Sequence, residues 1–253
     1  MTLGGRGPNG NEAYAPFFDT RRLHTPEYSY VAWLDLMGTQ NILRKSLSVS
    51  ANFIAKVQVV AFDASREVAG LEVFPIIDGV YACSANQEAI LKFLRACLMR
   101  LAHTFVSEQE PIHRFMPRSA LAFGPIYRGA DLATATENPE RYGRYFQPLL
   151  IGAPLAQAFE EEHQAPPFGV RIHESARMFG PTGAKPMPWV YWRWWGANVD
   201  GQASKLAREL RPAIKAHLEW CKNNSNALLY PSDKIDRDFR RAEEYFGEDI
   251  ANG

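Results

Sequence analysis

The chain has 253 residues, 46% hydrophobic and 22% charged, enough apolar material for one large packed domain or two small ones. Lys plus Arg equal Asp plus Glu at 28 each, and this zero net charge argues against a strongly basic nucleic-acid surface or a polybasic membrane anchor. The three cysteines, Cys83, Cys97 and Cys221, fit neither a disulfide framework nor a zinc site and read as reduced, buried thiols. No run approaches the roughly 18–20 apolar residues of a spanning helix, and the first residues lack the apolar centre of a signal peptide. A soluble, cytoplasmic protein is expected, without nucleic-acid or membrane partners.

Residues 1–27 are rich in Gly, Pro, Asn and Thr and read as an extended N-terminal arm, pinned by Phe17 and Phe18. Residues 28–36 form the first strand. Val31, Trp33 and Asp35 share one face and Ala32, Leu34 and Leu36 the other, so the strand is central, with helices on at least one side. Gly38 ends it. From about 41 to 68 the apolar spacing is helical through Phe53, Val57, Val60 and Ala64, with Gly70 as the stop. Two β-rich runs over 71–83 flank Asp78-Gly79, a strong hairpin signal, and Pro75 marks an edge or bulge. Residues 86–106 predict a second amphipathic helix.

Arg118 to Gly129 reads as a strand, a Gly124-Pro125 turn and another strand. A polar stretch over 131–147 is broken at Asn138-Pro139. A short strand at 149–152 precedes a helix opened by Pro154 and running to about His163. A strand at 168–172, a short helix at 174–179 and an aromatic strand at 188–195 follow. Helices at 202–222 and 232–246, separated by a polar turn at 223–226, close the chain. The class is α+β: a ferredoxin-like antiparallel sheet core with flanking helices. The plan is an arm (1–27), a main domain (28–200) and a C-terminal helical extension (201–253) packed on the same domain.

Two acids carry the functional reading. Asp35 ends a strand and is followed by the small-residue turn Leu36-Met37-Gly38-Thr39, whose backbone N–H groups suit phosphate oxygens. Asp78 lies in the following hairpin, and the helix between them returns the chain to the same sheet. Two adjacent carboxylates cannot both stay ionised without a counter-cation, and hard oxygens suit Mg²⁺ or Mn²⁺. Each acid also has an ordinary explanation, a helix cap for Asp35 and a turn residue for Asp78.

The ordered motifs resemble the catalytic domain of the class III nucleotidyl cyclases, the adenylate and guanylate cyclase group. Trp33-Leu34-Asp35-Leu36-Met37-Gly38-Thr39 is similar to that family's first metal strand, and Ile77-Asp78-Gly79-Val80 to its β2–β3 hairpin, with Ile77 replacing a usual Gly. The segments 118–129, 150–158 and 170–176 resemble later family motifs in the right order. The departures are specific. Ala156 stands at the family's Asn, Glu160 at its transition-state Arg, Phe74 at the base-reading Lys of purine cyclases, and Leu149 near that Lys's partner Asp. The metal half of the site is kept and the purine-reading half is not. That combination is most similar to the pyrimidine cyclases of the Pycsar anti-phage system, above all the uridylate cyclases.

The resemblance implies a lyase that converts UTP to 3′,5′-cyclic UMP and pyrophosphate, with the product activating a separate effector protein. It implies two divalent cations, Mn²⁺ or Mg²⁺, held by Asp35, Asp78 and the Leu36 carbonyl. Gly38 and Thr39 would cradle phosphates, and Phe74 would wall the base. Arg144 is the first candidate for the missing transition-state cation, ahead of Arg118, Lys234 and Arg237. A homodimer with composite sites is implied as well. The Trp189–Trp195 run is better read as core and interface than as a base-stacking platform. The alternatives are a cytidylate cyclase making cyclic CMP, a non-catalytic nucleotide-binding homologue, and another two-metal phosphoryl-transfer enzyme on a palm-like sheet.

Overall fold

The computed structural model describes residues 18–38, 46–181, 184–196 and 201–247. The chain divides into two compact units, residues 1–27 with 125–152 and residues 28–124 with 153–253.

In the larger unit β1 (Glu27–Leu36) is buried from Ser29 to Leu36 except at Asp35, as expected of a central strand apolar on both faces. The helix α1 (Leu47–Arg66) begins where the Ser46 hydroxyl accepts the Val49 N–H at 3.3 Å. Its Phe53, Val57, Ala61 and Ala64 recur at three- and four-residue spacing and are buried. The earlier part of the expected helix, 41–45, lies outside the described residues. Gly70, with φ +70°, turns the chain into β2 (Glu72–Ile76). A two-residue turn, Ile77-Asp78, joins β2 to β3 (Gly79–Ser84), with Ile76 paired to Gly79. The hairpin therefore turns one residue earlier than the Asp-Gly signal suggests, and Ile77 takes a positive φ of 49°. The helix α2 (Gln87–Ser107) is capped by Asn86 and buries Ile90, Phe93, Leu94, Cys97, Leu98 and Leu101.

The strand β4 (Pro117–Arg128) is continuous through Gly124-Pro125, so the expected turn there is not formed. β4 is held by β6 (Val170–Ile172) over Ser119–Leu121 and by β5 (Leu150–Ile151) at Tyr127–Arg128. Pro125 falls between these two registers, where its missing N–H costs least. The aromatic strand shrinks to β7 (Tyr191–Trp192). The sheet order is β2-β3-β1-β4-β6-β7, with β5 off this path. The first four strands have the order of a ferredoxin-like core, β2 is an edge as Pro75 foretells, and the class is α+β.

Tyr30, Ala32, Leu34 and Leu36 join α1 and α2 in the main core, whereas Trp33 packs with Ala122 and Ala158 in a separate cluster. Ala158 belongs to α5 (Ala153–Glu162). The short α6 (Glu174–Met178) follows β6. The C-terminal helices α7 (Gly201–Asn223), α8 (Ser225–Leu228) and α9 (Ser232–Gly247) lie in the same unit, and α8 replaces part of the expected polar turn. Trp195 stacks on Phe246 of α9 at 4.7 Å, and the Trp194 indole donates to the Phe168 carbonyl at 3.0 Å. These rings leave the sheet because α9 gives them a core to enter. All three cysteines are free and buried.

The smaller unit holds α3 (Gly129–Thr134), α4 (Pro139–Phe146) and β5. Asn138-Pro139 starts α4 as its cap and first-turn proline rather than breaking a helix. Phe18 forms a bridge with Thr136; Phe17 and the rest of the arm before it lie outside the described residues.

Among the described helices α1 alone is long and apolar enough to cross a membrane by length and composition, which corrects the expectation that no segment reaches that measure. Its buried face joins the main core of sheet and α2 residues, the setting of a core helix.

Candidate active site

The β1–β3 register runs from Tyr30↔Ser84 to Leu34↔Val80. Asp35 is thereby level with the start of β3, beside the turn that carries Asp78. The close pairing requires glycine at 79, because an added Cβ would sit 2.3 Å from the Trp33 ring and 2.8 Å from the Leu34 carbonyl oxygen. Gly38, with φ +77°, turns the chain away after Leu36. The Met37 N–H donates to the Met116 carbonyl at 2.9 Å, so this N–H of the expected phosphate turn is already used.

Asp35, Leu36, Gly38 and Asp78 line one cavity of about 630 Å³, within the range of small-molecule sites. Arg118, Lys234 and Arg237 line it too. Burial pushes the Asp35 carboxyl up to about 7; the negative charges of Glu162 and Asp78 add to this, and the Leu36 N–H and Arg118 oppose it. One Asp35 oxygen, Oδ1, is buried without a hydrogen-bond partner. Leaving an acceptor so placed unsatisfied is costly. A divalent cation would satisfy it, and Asp78 in the same cavity supplies a second hard donor. Among the described residues no third His, Cys, Asp or Glu completes a cluster; a hard cation here would take its remaining ligands from backbone, water and phosphate oxygens. The residues present fit a divalent metal on those terms.

A second charged group supports the site. Glu162 is fully buried and accepts from Arg118 Nε, while its Oε2 lies 2.8 Å from His163 Nδ1. Burial raises the Glu162 carboxyl and Arg118 pulls it back down. Arg118 also reaches His163 Nδ1 at 3.1 Å. Glu162 thus compensates much of the Arg118 charge within the protein. Pro154, Ala158 and Glu162 recur every four residues on the buried face of α5, a pattern visible in the sequence that would have singled out Glu162.

The remaining expectations separate from the cavity. Thr39 lies outside the described residues. Phe74 is half-buried on the edge strand and does not line the cavity, although it pairs with Tyr81, which does. Trp33, Tyr81 and Phe74 form one cross-strand row through their pairings, with Trp33 and Tyr81 ring centroids 4.4 Å apart. Arg144 is on α4 of the smaller unit, while every residue lining the cavity is in the larger one. Glu160 is exposed and does not line the cavity. The cations the cavity holds are those ranked behind Arg144 by sequence.

The chain is similar to the monomeric guanylyl cyclase domain of the RhoGC fusion protein from the aquatic fungus Blastocladiella emersonii, with a TM-score of 0.44 and 14% identity over 60% of this chain and 84% of that one. A double-mutant form of that domain gives 0.43 and 15% identity over 60% and 82%. No protein-family profile matches the chain, and no curated protein matches it.

Proposed function

We propose that the protein is a metal-dependent nucleotide cyclase whose substrate is UTP, converted to 3′,5′-cyclic UMP and pyrophosphate as a signal in anti-phage defence. The observation that carries the cyclase reading is the partnerless buried oxygen of Asp35, in a nucleotide-sized cavity with Asp78 and three cationic side chains. Uridylate preference rests on the sequence resemblance and on Phe74 at the purine cyclases' Lys position. Trp33 and Tyr81 offer flat apolar surface to the cavity, with Phe74 next in the same cross-strand row but outside the lining.

The ribose 3′-hydroxyl gives its proton to water, its oxygen bonds to the α-phosphorus, the bridge to the β-phosphate breaks, and pyrophosphate leaves. Two bound divalent cations, Mg²⁺ or Mn²⁺, would supply the charge that acidifies the 3′-hydroxyl and offsets the charge building on the phosphates. Asp35 and Asp78 would hold them, with the Leu36 carbonyl as a further oxygen. Gly38 and Thr39 would let the chain pass close to the phosphates. Glu162 holds Arg118 in place at the cavity. The proposal includes a homodimer, a cytoplasmic setting and a separate effector that reads the product.

The test is incubation of the purified protein with each of the four ribonucleoside triphosphates and MnCl₂ or MgCl₂, with products resolved chromatographically. Cyclic UMP and pyrophosphate are expected, and Asp35→Ala should abolish them. Full activity in Asp35→Ala would remove the metal assignment, and cyclic CMP as the main product would move the substrate to CTP.

A further inference from the structure

Three cations line the cavity; Glu162 pairs with Arg118, and the two acids that remain, Asp35 and Asp78, are the ones that suit a divalent metal. Lys234 and Arg237 both line it, and both come from α9, in the C-terminal extension. They are three residues apart and so share one helix face. Neither has a carboxylate ion-pair partner among the described residues, whereas Arg211, Lys222 and Arg241 on α7 and α9 are each within 4.0 Å of a carboxylate oxygen. Lys234 lies 5.8 Å from the Tyr230 ring centroid. It also stands in the first turn of α9, the positive end of the helix, where a cation is disfavoured unless an anion joins it. Arg241 continues the same edge, donating to the His163 carbonyl at 2.9 Å and tying α9 to the residue after α5. The helix is thus anchored beside the cavity and brings two cations to its lining that make no ion-pair contact among the described residues, although the charge of Glu162 acts on Lys234.

We propose that Lys234 and Arg237 bind the polyphosphate of the substrate in cis, making α9 part of the anion-binding half of the active site. This deepens the cyclase reading and rests on it for the ligand being a nucleoside triphosphate. The two side chains grip the end of the triphosphate remote from the base, and they hold pyrophosphate until it leaves.

The probe is sodium tripolyphosphate, titrated calorimetrically into the full chain with and without MnCl₂, because it tests the anion site without requiring turnover. Wild type should bind it, more weakly as salt rises. Lys234→Gln/Arg237→Gln should weaken binding roughly 10–100-fold, the worth of one or two charge-assisted contacts. Lys234→Glu alone should abolish it. Arg208→Gln/Arg240→Gln, which removes two exposed charges away from the cavity, should match wild type. Unchanged binding in the Lys234/Arg237 variant, an equal loss in the control pair, or no binding by wild type would each overturn the proposal. The two readings fail separately. Loss of tripolyphosphate binding in a protein that cyclises no nucleotide keeps the anion site and removes the cyclase, whereas cyclisation with an unchanged KM in the double variant does the reverse.

Discussion

Asp35 is held in a setting that favours its neutral form, a cost that the proposed divalent cation would relieve. The folded value of about 7 lies above the ordinary 3.8. The folded state therefore binds the proton more tightly than the unfolded chain, and stability falls as pH rises from about 4 to about 7. At about 1.4 kcal/mol per unit the full gap is a little over 4 kcal/mol, and local relaxation around a partly exposed carboxyl lowers this to roughly 1–3 kcal/mol. Asp35→Asn should stabilise the metal-free protein by that amount at pH 8 in urea unfolding. MnCl₂ should raise the melting temperature of wild type and leave that of Asp35→Asn unchanged. Ile77 is a second strained point. A β-branched residue at φ +49° costs about 1–2 kcal/mol. Ile77→Gly removes that strain but adds about 0.5–1 kcal/mol of chain entropy to the unfolded state, so a net gain of roughly 0.5–1 kcal/mol is expected by urea unfolding.

The elements that carry Asp35 and Asp78 were legible because each is marked by local punctuation: a buried strand closed by Gly38, and a hairpin bounded by Pro75 and Gly79. The supporting ion pair was less legible, because Arg118 on β4 and Glu162 on α5 meet only after folding. Local signals also lost to pairing. Gly124-Pro125 reads as a turn, yet β4 runs through it as strand, paired with β6 before it and with β5 after it. The Trp-rich run alternates like a strand, yet Trp194 and Trp195 are drawn into the core beside α9. The same docking of the C-terminal helices buries His217 of α7, which sits edge-on to Phe105 of α2 at 5.4 Å and stacks on Trp220 at 5.7 Å. Burial, with the Arg114 charge adding to it, lowers His217 from 6.5 to about 4. Among the described residues its Nε2 meets only the Cys221 sulfur, at 3.5 Å. Between those two pH values the unfolded chain takes up a proton that the folded helix refuses. Stability should therefore fall by up to about 3 kcal/mol as pH drops from 6.5 to 4 and level off below that. His217→Phe keeps the ring contacts and should flatten this part of the stability–pH curve, with the difference from wild type isolating the α7–α2 contact.

At the scale of the molecule, the question is which chain completes a site. In the larger unit Asp35, Asp78, Arg118, Lys234 and Arg237 line one cavity of a single chain. If two copies associate as proposed, Asp35, Asp78 and the α9 cations still travel together, and a partner can add only what this cavity lacks. Mixing variants separates the arrangements. Asp35→Asn and Lys234→Gln/Arg237→Gln, co-expressed with different affinity tags and purified through both, give heterodimers. With the acids and α9 cations in cis, each site in the heterodimer carries one lesion, so activity should stay at the level of the separate variants. Were they shared in trans, one site would collect both lesions and the other none, and activity would return to about half of wild type. Sedimentation velocity on the doubly tagged sample checks that the heterodimer is present. Absence of rescue is therefore the expected result, because α9 and β1 belong to the same packed core and need no second chain to meet.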